Sequence, residues 1–115
     1  QGYEGEKKYI IAGALGFLIH ATWMIGSGIF LSSDSPANIT GVYIEIIDKK
    51  PIFVSFLYAF LVSLAFVGIM RILLARAHYG AKEKWLLSLT AGAGFHLAFW
   101  ALVGFLWAMF SGFGF

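Results

Sequence analysis

The 115-residue chain has no cysteine, only two prolines, and charge on just 12% of its residues. Without cysteine there are no disulfides, no zinc–thiolate centres and no iron–sulfur clusters. The scarcity of charge says more. With 60% of residues hydrophobic, the chain has too little polar surface for a soluble domain of its size. Charge is also missing from particular stretches. None lies between Tyr9 and Leu31 or between Trp85 and Phe115, and Arg71 is the only one between Pro51 and Ala75. No carboxylate falls inside an apolar run, so a carboxylate proton relay or ion path has no residues to build on. A phosphate loop, a His-Glu-x-x-His pair and a nucleophile beside a base are absent too. The chain is therefore not expected to be an enzyme by itself. A non-catalytic place in a membrane oxidoreductase complex fits better.

What is there is three apolar runs, each long enough to cross a bilayer. The sequence predicts an all-α membrane protein with a single membrane domain over residues 1–115 and three transmembrane helices, at about 9–31, 51–77 and 85–112. The first run is too long for a signal-peptide core and has no cleavage pattern after it. Ser32, Ser33, Asp34, Ser35 and Pro36 supply capping and breaking residues that end the first helix. Pro51 suits the first turn of the second. Between them lies the loop 32–50. Its segment Val42-Tyr43-Ile44-Glu45-Ile46-Ile47 is too short to span and reads as a strand or a half-turn of helix lying at the interface.

Lys7, Lys8, Arg71, Arg76, Lys82 and Lys84 collect at one end of the bundle, against Lys49 and Lys50 at the other. The positive-inside rule then places the N-terminus in the cytoplasm, with the C-terminus and the 32–50 loop outside. This confinement of basic residues to the flanks gives no reason to expect nucleic-acid binding. Asn38-Ile39-Thr40 is a glycosylation sequon in the outer loop, a three-residue match that arises often by chance. At the other end of the third helix, Trp107, Phe110, Phe113 and Phe115 suggest an interfacial aromatic belt.

Two histidines stand out. His20 follows Tyr9 by eleven residues, and His96 follows Trp85 by the same interval. At 1.5 Å per residue, both imidazoles come out roughly 16 Å into an apolar core about 30 Å thick. A titratable group at that depth is costly and is by default a functional candidate. Gly16 stands one turn before His20, and Gly92 one turn before His96, so both helices carry Gly-x-x-x-His. A glycine there leaves the surface beside the ring open to another backbone or to a flat macrocycle. A weak echo links the two stretches: Ala12-Gly13-Ala14-Leu15-Gly16-Phe17 before His20, and Ala91-Gly92-Ala93-Gly94-Phe95 before His96.

The chemistry that this pattern suggests is a tetrapyrrole. Neutral imidazole is an axial ligand for haem iron, and Phe17, Trp23, Phe95, Phe99 and Trp100 offer aromatic walls. His20 and His96 would be the metal ligands of haem b, or each would hold a chlorophyll or bacteriochlorophyll ring, with Gly16, Gly92, Trp23 and Trp100 around them. Small-x-x-x-His is similar to the ligand motif of bacterial light-harvesting polypeptides, over five residues in each helix. In length and span count alone the chain looks like the haem-bearing membrane anchors of succinate dehydrogenase. The competing reading is ordinary membrane packing. In it the glycines admit neighbouring helices, and the imidazoles bond to Thr22, Ser27, Ser88, Thr90, a backbone carbonyl or each other.

The expected function is a small integral subunit of a larger respiratory or photosynthetic electron-transfer complex, multi-pass in a plasma or energy-transducing membrane and surrounded by lipids. The alternative is a cofactor-free structural accessory subunit. A small channel or transporter ranks last, because polar pore-lining residues are scarce. His78, among Arg76, Tyr79 and Lys82, reads as an interfacial residue.

Overall fold

The computed structural model describes residues 2–109, with side chains from Gly5 onward. Four helices make up the fold: α1 (Gly2–Phe30), α2 (Ile39–Lys49), α3 (Ile52–Leu73) and α4 (Ala81–Trp107). Three of them contain stretches long and apolar enough to cross a membrane, Gly5–Phe30, Ile52–Leu73 and Ala81–Trp107. That is consistent with a multi-pass membrane protein.

Several boundaries differ from the sequence reading. The first helix starts well before the expected residue 9: the polar residues ahead of Tyr9 are the first part of α1, because Glu6, Lys7 and Lys8 favour helix and no proline stops the run. Lys8 then forms an ion pair with Glu83 of α4, tying this extension to the bundle. At the other hairpin, α3 ends at Leu73 rather than near Ala77, and short turns of the type Ala75 N–H to Ile72 O carry the chain onward. α4 starts at Ala81, one turn before the charge-free run, since Lys82, Glu83 and Lys84 are all good helix formers. Residues 110–112, expected at the end of this helix, lie outside the described residues, as do Phe110, Phe113 and Phe115 of the expected aromatic belt.

The 32–50 loop holds the largest departure, a fourth helix. Asn38 starts α2: its side-chain oxygen accepts the Gly41 N–H at 2.9 Å, satisfying a backbone donor that the first turn leaves unpaired. The amide nitrogen of the same side chain donates to the carbonyls of Leu31 and Ser32, both at 3.3 Å. Asn38 is buried, so the sequon residue serves as a helix cap and loop clamp.

α4 is the centre of the arrangement. α1 and α3 both pack on it, their backbones do not approach each other, and α2 contacts both of them at the end opposite the Lys8–Glu83 pair. Tyr43 of α2 reaches into the space between α1, α3 and α4. It is fully buried and packs with Met24, Ile39, Ala59, Ala98 and Phe99. A second apolar cluster, Phe66, Ala91 and Phe95, fills the other half.

α1 and α4 run in the same direction and touch backbone to backbone. A Cβ at Gly16 would collide with the Ala91 carbonyl oxygen, and one at Gly94 with the carbonyl of Gly13. The Gly/Ala echo between the two helices is therefore their shared contact surface. Small residues there let the helix axes approach and add dispersion contacts where water offers no hydrophobic drive.

Candidate functional site

Parallel packing with small residues in register brings the two histidines to one level. The Nδ1 of His20 lies 2.5 Å from the carbonyl oxygen of Phe95, the residue just before His96. Both histidines thus share a depth along the bundle, but their rings turn to different neighbours.

His20 is fully buried. A carbonyl only accepts, so the proton must sit on Nδ1. In the neutral ring that leaves Nε2 bare, and it lies 2.9 Å from the Tyr43 hydroxyl, which donates to it. Burial, with the neighbouring Tyr58 phenol adding to it, pushes the Tyr43 phenol above its ordinary value, so the hydroxyl keeps the proton it donates. The imidazole face stacks on Phe95 at 3.9 Å between centroids, and Phe95 stacks in turn on Phe66 at 4.3 Å. Both nitrogens and one face of His20 are therefore engaged by α2 and α4.

His96 is half-buried and faces α3. The Trp100 indole nitrogen can only donate, and it lies 2.9 Å from Nε2. The neutral ring then carries its proton on Nδ1, which donates to Ser63 Oγ at 3.3 Å, and the Ser63 hydroxyl donates to the Ala59 carbonyl at 2.8 Å. An unbroken chain of hydrogen bonds runs from Trp100 through His96 and Ser63 to the Ala59 carbonyl. His20 and His96 thus adopt the same tautomer. Each gives its Nδ1 proton to an oxygen and takes a proton at Nε2 from an aromatic side chain.

An axial ligand needs a free ring nitrogen and open space for the macrocycle. Here both Nε2 lone pairs are taken, by Tyr43 and by Trp100. The notch at Gly16 is filled by the α4 backbone, and the one at Gly92 by the Val67 side chain of α3. The intended aromatic walls do not frame a slot either. Phe95 and Phe99 are packed in the core, Trp23 lies at the surface with its indole donating to the Ala37 carbonyl at 3.2 Å, and Trp100 is exposed. As placed, these residues do not fit a haem or chlorin. No direct His20–His96 bond forms, since each ring has other partners. Thr22, Ser27, Ser88 and Thr90 do not bond to either imidazole. Ser27, Ser88 and Thr90 bond instead within their own helices, Ser27 also to the Asn38 side chain. Among the described residues, no three His, Cys, Asp or Glu side chains gather as a metal site.

The residue that sequence reasoning missed is Tyr43. One signal was available: Ile39 and Tyr43 stand four apart behind a capping asparagine, which puts both on one face of a short helix. The chain matches no protein-family model, no curated protein and no solved structure.

Proposed function

We propose that this chain is a cofactor-free accessory subunit of a larger membrane assembly, with its basic end in the cytoplasm. The observation that carries this reading is the closure of the two imidazoles. Each mid-span histidine, the residue type best suited to hold a prosthetic group, has both nitrogens engaged by protein, and three of the four bonds fasten one helix to another; the fourth, Trp100 to His96, lies within α4. Three connections follow from them: α1 to α4 through Phe95 O, α1 to α2 through Tyr43, and α4 to α3 through Ser63.

The surface points to a partner. His20 is internal, but the His96–Trp100 pair lies toward the outside of the bundle, with Trp100 45% exposed and Phe60 beside it 50% exposed. Polar and ionisable groups within a spanning segment normally face protein rather than lipid, and interhelical hydrogen bonds help hold membrane helices together. A partner helix laid over this face would enclose the imidazole and indole. Even α4, the most enclosed of the three spans, has only 39% of its apolar window buried.

A second reading keeps the haem b or chlorophyll-type ring and a place in electron transfer. It is supported by the shared level of His20 and His96, and it requires the Tyr43 hydroxyl or the Trp100 indole to leave Nε2. The visible absorption spectrum of the assembly, isolated from native membranes, separates the two. The accessory-subunit reading expects spectra that do not change with His20→Ala or His96→Ala, and loss of the assembly when the chain is deleted. A Soret-type band lost in either variant would refute it and establish the second reading.

A further inference from the structure

We propose that Arg71 and Trp85 form an inner-leaflet site for the phosphodiester of an anionic phospholipid. Arg71 lies in the last turn of α3, and its guanidinium carbon stands 5.2 Å from the centroid of the Trp85 ring, near the start of α4. That stacking covers one face of the planar guanidinium and leaves its N–H edge to bond in plane. Arg71 Nε is shielded and, among the described residues, has no hydrogen-bond partner. A buried donor without an acceptor is costly, and a small turn of the guanidinium that brings this edge to an external oxygen would remove that cost.

The surroundings select the acceptor. Among the described residues the ion pairs are Lys8–Glu83 and Lys49–Glu45, so no carboxylate neutralises Arg71. Lys84 of the same hairpin directs its ammonium to the Ala75 carbonyl at 2.5 Å, adding a second cation near the end of α3. Arg76 is exposed on the connector, and Lys82 is exposed in the first turn of α4. Across this end of the chain six basic residues stand against Glu4, Glu6 and Glu83, whereas the opposite end has more acidic than basic residues. Lys8 is held between the Tyr9 and Tyr79 rings, at 5.6 and 5.3 Å, in the aromatic and basic surroundings typical of a headgroup region. An arginine fork meets a phosphate through two parallel N–H bonds, and a net positive end adds attraction for a headgroup that carries net charge. The acyl chains would lie along the exposed Ile69, Ile72 and Leu73 side chains of α3.

Native mass spectrometry of the purified full chain tests this, with titrations of phosphatidylglycerol, phosphatidylcholine and inorganic phosphate. The first phosphatidylglycerol is expected to bind about tenfold more tightly than the first phosphatidylcholine. Arg71→Gln should abolish that preference, Arg71→Lys should retain part of it, and Arg76→Gln should leave it intact. Equal retention of both lipids by the wild type, an Arg71→Gln variant that behaves like wild type, or binding of inorganic phosphate alone would each overturn the proposal. Photocrosslinking of the unaltered chain by a headgroup-diazirine phosphatidylglycerol decides the matter without relying on the folding of a variant. Labelling should concentrate in residues 71–85, and labelling centred elsewhere would overturn the site.

Discussion

Adding one methyl group to Gly16 tests the central feature of the bundle, the backbone contact between α1 and α4. In an open helical position, Gly→Ala gains about 0.5–1 kcal/mol by reducing the freedom of the unfolded chain. At Gly16 the new carbon would meet the Ala91 carbonyl oxygen, and that atom cannot rotate away as a side chain would. The helices must separate, an overpacking cost of about 1–3 kcal/mol. Gly16→Ala should therefore lose roughly 1–2 kcal/mol net once the propensity gain is deducted. Gly26→Ala and Gly104→Ala are the controls, because a Cβ at either position has nothing within 4 Å. Both should match the parent or gain up to about 1 kcal/mol. The measurement is reversible unfolding in mixed micelles, followed by circular dichroism as denaturing detergent is added. Gly94→Ala should behave like Gly16→Ala, and the double variant should cost less than the sum, since both open the same contact. Gly92→Ala should be milder, because the atom it meets is the Val67 side-chain tip. If Gly16→Ala unfolds no earlier than Gly26→Ala, the helices are not in backbone contact there and the account of the notch is wrong.

Two further outcomes concern Tyr43. Tyr43→Phe keeps the ring packing but leaves His20 Nε2 buried without a donor, so it should destabilise the chain by about 1–3 kcal/mol and speed proteolysis of the 31–51 segment; unchanged cleavage would refute the latch. The same phenol sets an alkaline limit: held above its ordinary value of about 10 in the folded chain, it binds its proton more tightly there than when unfolded, so its contribution is whole below about pH 10 and is lost as pH rises further. Tyr43→Phe lacks that contribution, and equal alkaline losses in the two proteins, measured by unfolding from pH 8 to 11, would refute the assignment.

How much of this was legible in the sequence depends on the range of the interaction. The three long apolar helices follow from local absence of charge, so their existence could be read directly, and the common level of His20 and His96 could be read from equal offsets along two helices. Boundaries were less accurate where polar helix formers continue a span, as at Glu6 to Lys8 and at Lys82 to Lys84. α2 escaped because eleven residues offer little periodicity and the Val42–Ile47 run also suits a strand. The partners of the imidazoles were beyond reach. The Phe95 carbonyl lies 75 residues from His20 and Ser63 lies 33 from His96, and nothing local marks either as the acceptor. The Asn38 sequon is a related lesson. Its three residues match a modification signal, yet the asparagine is buried with its amide bound to two carbonyls, so local sequence identified the residue and the fold decided its role.

Histidine beside glycine is ambiguous in a membrane helix for a specific physical reason. The glycine creates a notch, and the imidazole offers one donor and one acceptor in the same plane. A metal macrocycle can use that notch and the acceptor nitrogen. So can two neighbouring helices, with the notch admitting a backbone and the ring bonding to both sides at once. With no water at mid-span to satisfy either nitrogen, a histidine that holds no ligand must bond to protein at both positions. His20 does so through Phe95 and Tyr43, and His96 through Ser63 and Trp100. The equal depth of the two rings needs no shared ligand to explain it. It follows from two similar Gly/Ala stretches laid side by side in parallel, because contact between matching segments brings the residues that follow them to the same level. What separates fastening from ligation is therefore what occupies the notch, and at Gly16 the occupant is the carbonyl of Ala91.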